Sequence, residues 1–390
     1  MLFDPNAHEP LTEAEWNPER VRTAVRDMVA NAETAFDPDG LWPTDERDAT
    51  YSVPPLKNLY VGAAGVVFAL DALRRSADAD VGIDLASAAL RALELWKQSP
   101  DYAEIDPKPA HFDASLLCGE VGILLVAYRV TPSGELADRL FERVVENVAN
   151  DANEVSWGAP GTMIAATAMH SWTGEERWRG VWTTSADELR SRRDADGLWT
   201  QHLFGREPQR QLGAAHGAVG NQSALLQGAP ADDARPIAAA LAQAAVREGV
   251  HANWPMVEGA ALAGPDGAIR VQWCHGAPGV VLSAASYLPD ELLLAGAELT
   301  WQAGPLAMHR GPGICHGTAG NGYALLATFA RTGDERWLER ARAFATHAVM
   351  QVKRQDRPRH SLWTGDLGVA LYAVDCLEAR AGYPVLEGWV

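Results

Sequence analysis

One phrase recurs along this 390-residue chain: Gly-x-x-Gly, leading straight into an apolar run rich in alanine and leucine. It stands at 59–70 (LYVGAAGVVFAL), 116–127 (LLCGEVGILLVA), 157–168 (WGAPGTMIAATA) and 214–225 (AAHGAVGNQSAL). It returns at 274–285 (CHGAPGVVLSAA), 315–327 (CHGTAGNGYALLA) and 363–374 (WTGDLGVALYAV). A spacing of roughly forty to sixty residues is the period of proteins built from repeated supersecondary units. Each run is about a dozen residues, long enough for a buried helix rather than a strand.

Between the copies lie amphipathic stretches. TGEERWRGVW (173–182) and TGDERWLERARAFATHAV (332–349) are near-duplicates, with Thr173 and Thr332 ahead of acidic residues, as expected at helix starts. Turn phrases recur as DPDGLWPT (37–44), DADGLWTQ (194–201) and HSLWTG (360–365). A helix that is apolar all round belongs inside, walled by amphipathic ones. The pattern therefore predicts an all-α protein, an α/α toroid: a double-layered ring of about seven helix hairpins. Residues 56–390 form the single toroid domain in this reading, and 1–55 an N-terminal capping segment. The glycines read as packing grammar, because a residue without Cβ lets neighbouring backbones approach.

With 47% hydrophobic residues the chain can bury a large core. A net charge of −18 argues against a grip on nucleic-acid phosphates or anionic lipid. No apolar run is long enough to span a bilayer, and the first residues, MLFDPNAHEPLTEAEW, lack the regions of a signal peptide. The expected setting is the cytoplasm. Four cysteines do not make a disulfide framework there, and reduced thiols are free to hold metal.

If the seven phrases open the inner helices, the residues just before the glycines gather at one end of the ring. They are Val61, Cys118, Trp157, His216, the pair Cys274-His275, the pair Cys315-His316, and Thr364. Two thiolates and an imidazole suit Zn2+, and three protein ligands with one open position describe a catalytic site. Cys118 and Cys376 read as buried thiols. His111, His251, His309, His347 and His360 lack the repeat context and receive no role, and Trp157 and Trp273 are candidates for the wall of a peptide site.

GAAHGAVG (213–220), RVQWCHGAPG (270–279) and GICHGTAGNGY (313–323), with the glycine pattern over almost the whole chain, resemble the LanC-like family of lanthionine synthetase cyclases and relatives. The resemblance implies an α/α toroid with one zinc per chain, held by Cys274, Cys315 and His316. It implies an acid/base role for His216 and places Arg270 near the site. His275 stands where the cyclases commonly have tyrosine, leaving open a role as proton donor, metal ligand or support. Glu154 stands where well-known cyclases have aspartate, and an ion pair with Arg270 is one alternative for that arginine.

The chemistry implied is Michael-type addition of a thiol to dehydroalanine or dehydrobutyrine in a peptide substrate, with a dehydratase as possible partner. Addition of glutathione to dehydroamino acids in proteins is the alternative use of the same site. A non-catalytic zinc-containing peptide-binding module is a third reading. A glycosidase with two of Glu120, Glu154 and Asp366 facing the cavity is a fourth.

Overall fold

The computed structural model describes residues 1–49, 52–76, 78–103, 105, 112–203 and 206–389; His111 lies outside them. Each Gly-x-x-Gly opens a helix: α2 (Ala63–Arg75), α4 (Glu120–Val130), α6 (Ala159–Thr173), α8 (Ala218–Leu226), α10 (Ala277–Ser283), α12 (Thr318–Thr332) and α14 (Asp366–Glu378). These touch in succession, and α14 returns to α2, closing an inner ring. Outside it lie α3 (Leu85–Gln98), α5 (Gly134–Asn147), α7 (Glu176–Ser191), α9 (Arg235–Ala244), α11 (Asp290–Ala303) and α13 (Glu335–Arg354). The N-terminal helix α1 (Pro18–Thr34) packs on α14 and α13, occupying the outer layer at the seventh position. Its buried residues Val21, Ala24, Val25, Met28, Val29 and Ala32 follow the helical repeat of a single face. The architecture is the expected α/α toroid.

The glycines are a steric requirement. The first caps its helix in an extended conformation in six copies, and Gly276 does so at φ 99°. The second lies on the carbonyl of the residue three before the first. A Cβ on Gly320 would sit 1.9 Å from the Ile314 oxygen, and on Gly161 2.1 Å from that of Val155. The turn phrases have their own physical basis. The indole N–H of Trp42 donates to Ala32 O at 2.8 Å, and that of Trp199 to Leu189 O at 2.7 Å, satisfying carbonyls in the last turns of α1 and α7.

Three local expectations change. Thr173 and Thr332 end α6 and α12 instead of starting the next helices. A left-handed glycine follows each, and the threonine hydroxyl accepts the N–H of Glu175 or Asp334 at 3.2 Å. The linkers are so short that one phrase both stops a helix and starts its neighbour. Helices α8 and α10 fall short of a dozen residues, with Gly228-Ala229-Pro230 and Pro289 following soon after them. Finally, β1 (Val246–Glu248) and β2 (His251–Asn253) form a small antiparallel hairpin turning at Gly249, φ 61°, between α9 and the fifth phrase.

After α14 the chain doubles back into the ring. Tyr383 stacks on Trp273 with 4.9 Å between ring centres and donates its hydroxyl to Ile314 O at 2.7 Å. Further along, Trp389 packs on Phe68 of α2 and Trp172 of α6, while Gln227 donates to Leu386 O. The tail thus packs on inner helices α2 and α6 and on the loops that lead into α10 and α12.

Gly320→Ala is expected to destabilise the fold by about 3 kcal/mol, the scale of a core overpacked against rigid backbone. Gly180→Ala, on an exposed face of α7 with open space around it, is expected to stabilise it by about 0.5–1 kcal/mol. Denaturant unfolding of the two variants checks both signs.

Candidate functional site

The residues two before the first glycine of each phrase are Tyr60, Leu117, Ser156, Ala215, Cys274, Cys315 and Trp363. The backbones of all but Ala215 join into a belt along one end of the inner ring, running from Ser156 through Leu117, Tyr60, Trp363 and Cys315 to Cys274. Tyr60 N–H donates to Leu117 O at 2.9 Å, and Leu117 N–H to Ser156 O at 3.4 Å. Cys274 N–H donates to Cys315 O at 3.3 Å, Cys315 N–H to Trp363 O at 2.8 Å, and Trp363 N–H back to Tyr60 O at 3.3 Å. Cys274 and Cys315 are neighbours in this belt, so thiols forty-one positions apart in sequence meet.

The two buried thiols act on each other's ionisation. Cys315 keeps its proton: the interaction with Cys274, burial and the negative charge there push its pKa far up. The same interaction, outweighing burial and aided by Gln272 and His216, draws Cys274 below an ordinary thiol. Cys274 is thus the sulfur that gives up its proton first. Gln272 Nε2 donates to its Sγ at 2.9 Å, and Tyr60 OH donates to Cys315 Sγ at 3.1 Å.

His316 follows Cys315 on the same loop. Burial, with Arg359 and Arg310 nearby, lowers its pKa to about 4, so the ring is neutral at physiological pH. A metal-binding imidazole must be neutral, and two soft sulfurs with such a nitrogen match zinc in donor type. Among the described residues, however, no three His, Cys, Asp or Glu side chains are gathered into a ready-made metal cage. The structure pairs the two thiols and leaves His316 as their chain neighbour.

His216 stands near enough to Cys274 for their charges to interact. Its Nδ1 lies 2.7 Å from Glu154 Oε2, and a third of its side chain (33%) remains open. Burial opposes its charged form, but the hydrogen bond and negative charge of Glu154 prevail and raise its pKa. Glu154 is fully buried and also accepts the N–H groups of Ser156 and Trp157 at 3.0 and 2.5 Å, which fixes the carboxylate toward His216. The His275 ring lies 6.1 Å from that of His216, and burial, with the His216 and Arg270 charges, lowers its pKa to about 3. Burial thus holds His275 neutral at physiological pH.

Arg270 is not paired with Glu154. Its guanidinium holds Asp266, four residues earlier on its own loop, at 2.6 Å and Ala268 O at 3.2 Å. Its charge still reaches Cys274 and His275. The glycosidase reading fails on placement: Glu120 is buried beneath Arg139 and Arg143 of α5, and Asp366 holds Gln355 and the Arg359 N–H. Cys118 and Cys376 are buried thiols whose pKa burial raises. Trp157 stacks on Phe112 at 4.1 Å and Trp273 on Tyr383 at 4.9 Å, and both indoles are buried.

Two cavities open beside this end. One of about 1000 Å³ is lined by Arg47, Gly311, Pro312, Arg359 and His360, next to the His316 loop. Another of about 230 Å³ is lined by Arg270, Gln272, His309 and Arg310. Tyr60 and Gln272 escaped the sequence reading, although Tyr60 occupies the same slot before glycine as both cysteines.

Comparison with known proteins follows the same lines. Residues 55–381 match the family model described as Lanthionine synthetase C-like protein. Glutathione S-transferase LANCL1 of Danio rerio is 28% identical over 305 residues, covering 70% of this chain and 74% of its own. LanC-like protein GCL1 of Arabidopsis thaliana is 35% identical over 85 residues, 20% of this chain and 19% of that relative. Among solved structures, nisin cyclase superposes with a TM-score of 0.63 at 14% identity, covering 95% of this chain and 96% of its own, a likeness of fold. Among the described residues no helix is long and apolar enough to cross a membrane.

Glu154→Gln removes the charge facing His216 and keeps an acceptor. The His216 pKa is expected to fall, as read by titration of its ring protons in NMR spectra. A raised histidine pKa contributes stability that is fully present below the unfolded value of 6.5 and is lost as pH rises through the folded one. The stability deficit of the variant is therefore largest at acid pH and shrinks on the alkaline side. A deficit independent of pH contradicts a charged pair.

Proposed function

Because the chain belongs to the lanthionine synthetase C-like family, we propose that it adds a thiol to a dehydroalanine or dehydrobutyrine residue of a peptide, making a thioether. Cys274, Cys315 and His316 would hold a zinc ion. The observation that carries this reading is the meeting of two thiols from separate repeats near a partly open histidine held by a buried glutamate. Zinc, when bound, acidifies and orients a coordinated thiol.

The rest follows from the chain's own side chains. Addition at the β-carbon leaves negative charge on the α-carbon and its carbonyl, and that carbon must take a proton. His216 is the donor: Glu154 favours its charged form, its ring is partly open, and Cys274 lies close enough for their charges to interact. Arg270, braced by Asp266, holds a positive charge near the reacting centre and favours the developing anion. His275, neutral and buried, shapes the wall between them. Thiols must stay reduced for this chemistry, which fits a cytoplasmic setting. A dehydratase is the partner class that would supply the electron-poor alkene.

A second reading has its own support. The relative from Danio rerio that covers most of this chain carries the name of a glutathione S-transferase, which favours glutathione as the incoming thiol. Intramolecular ring closure and glutathione addition use the same residues and differ in where the thiol comes from.

Wild-type protein is expected to contain about one zinc per chain, sharply reduced in Cys274→Ala, Cys315→Ala and His316→Ala. His216→Ala should keep its metal and lose thiol addition to a dehydroalanine peptide by about 10²–10⁴-fold. Metal analysis with a mass-spectrometric addition assay, run with a cysteine-containing peptide and with glutathione, separates the two uses. Zinc without turnover of either identifies a binding module and overturns the enzymatic reading.

A further inference from the structure

Each sulfur of the pair has its own neutral hydrogen-bond donor: Tyr60 OH on Cys315 at 3.1 Å and Gln272 Nε2 on Cys274 at 2.9 Å. Both donors are fixed by contacts that do not involve the sulfurs. Tyr60 is held in the belt through its N–H to Leu117 and its carbonyl to Trp363, and its ring lies 5.8 Å from that of Trp363. Gln272 and His275 exchange backbone hydrogen bonds at 3.1 and 3.2 Å, closing a tight turn around Trp273 and Cys274.

A site that offers an electron-poor alkene to two cysteine sulfurs carries a hazard. Either sulfur can itself add: an Sγ–Cβ bond forms, the π pair moves to the α-carbon, and that carbon takes a proton. Nothing leaves and nothing is oxidised, so the site is simply capped. The thiolate is the attacking species, and metal binding keeps the ligand thiols deprotonated. A hydrogen bond to a thiolate stabilises charge on sulfur and lowers its reactivity toward carbon.

We propose that Tyr60 and Gln272 are positioning residues that hold charge on Cys315 and Cys274, so that the incoming thiol, and not the protein's own sulfurs, adds to the dehydroamino acid. This rests on the zinc-dependent addition proposed above. Two separate donors on two separate loops serve two sulfurs, so protection can be removed from one at a time.

The test loads wild type, Tyr60→Phe and Gln272→Met with zinc and exposes each to a dehydroalanine peptide that lacks cysteine. Adducts are mapped by mass spectrometry, metal is counted on the same samples, and thermal melts verify folding. Wild-type cysteines should stay unmodified. Tyr60→Phe should gain its adduct at Cys315 and Gln272→Met at Cys274, each about tenfold faster than wild type, the scale of one hydrogen bond to a charged group. With Co2+ in place of zinc, the sulfur-to-metal charge-transfer band should move to lower energy in each variant. The donors sit on different loops, so if one variant does not fold the other decides. Equal adduct rates with metal bound overturn this proposal alone, as do adducts spread alike over both cysteines in either variant. A wild type that takes up no zinc overturns the metal reading and this proposal with it.

Discussion

Everything at the functional end depends on backbone hydrogen bonds between equivalent positions of successive repeats. Seven inner helices alone would leave seven loop ends with unpaired amides, each costing about 1–3 kcal/mol when buried. The belt through Ser156, Leu117, Tyr60, Trp363, Cys315 and Cys274 satisfies many of them by pairing six of the seven loops in series. The paired glycines make it possible, because any side chain at the second would collide with the carbonyl beneath it. A device that closes the fold thereby also sets the distance between two sulfurs.

The belt changes character where the chemistry gathers. Ser156 gives its N–H to the Glu154 carboxylate, and that carboxylate also orients His216. Close by, Gly213 presses on the Cys274 carbonyl, where a Cβ would lie 2.3 Å from the oxygen. The same few residues hence end one series of structural bonds and begin an electrostatic one. Burial drives His275 and His316 toward the neutral form, while the one histidine with a carboxylate partner is drawn toward the charged form. Three histidines in one repeat slot acquire different protonation states from their surroundings.

The ring was legible in the sequence because its grammar is periodic: the glycine phrases mark the start of every inner helix. The slot before glycine likewise pointed to Cys274, Cys315, His216, His275 and His316. What escaped was set by contacts that no repeat encodes. Thr173 and Thr332 look like helix starts, since a hydroxyl before acidic residues has the same composition whether it ends one helix or begins another. Arg270 finds its carboxylate at Asp266 on its own loop, a pairing no motif marks. Gln272 reaches Cys274 only because a tight turn folds it back, and Tyr60 reaches Cys315 only because the ring closes.

The tail that follows α14 works as a tie across the ring. Tyr383 stacks on Trp273 and bonds Ile314 O, while Trp389 is seated among Phe68 and Trp172. One short segment thus clips together four of the seven repeats from within, so a truncation before Tyr383 would loosen Trp273 and, through its chain neighbour Cys274, the spacing of the two sulfurs.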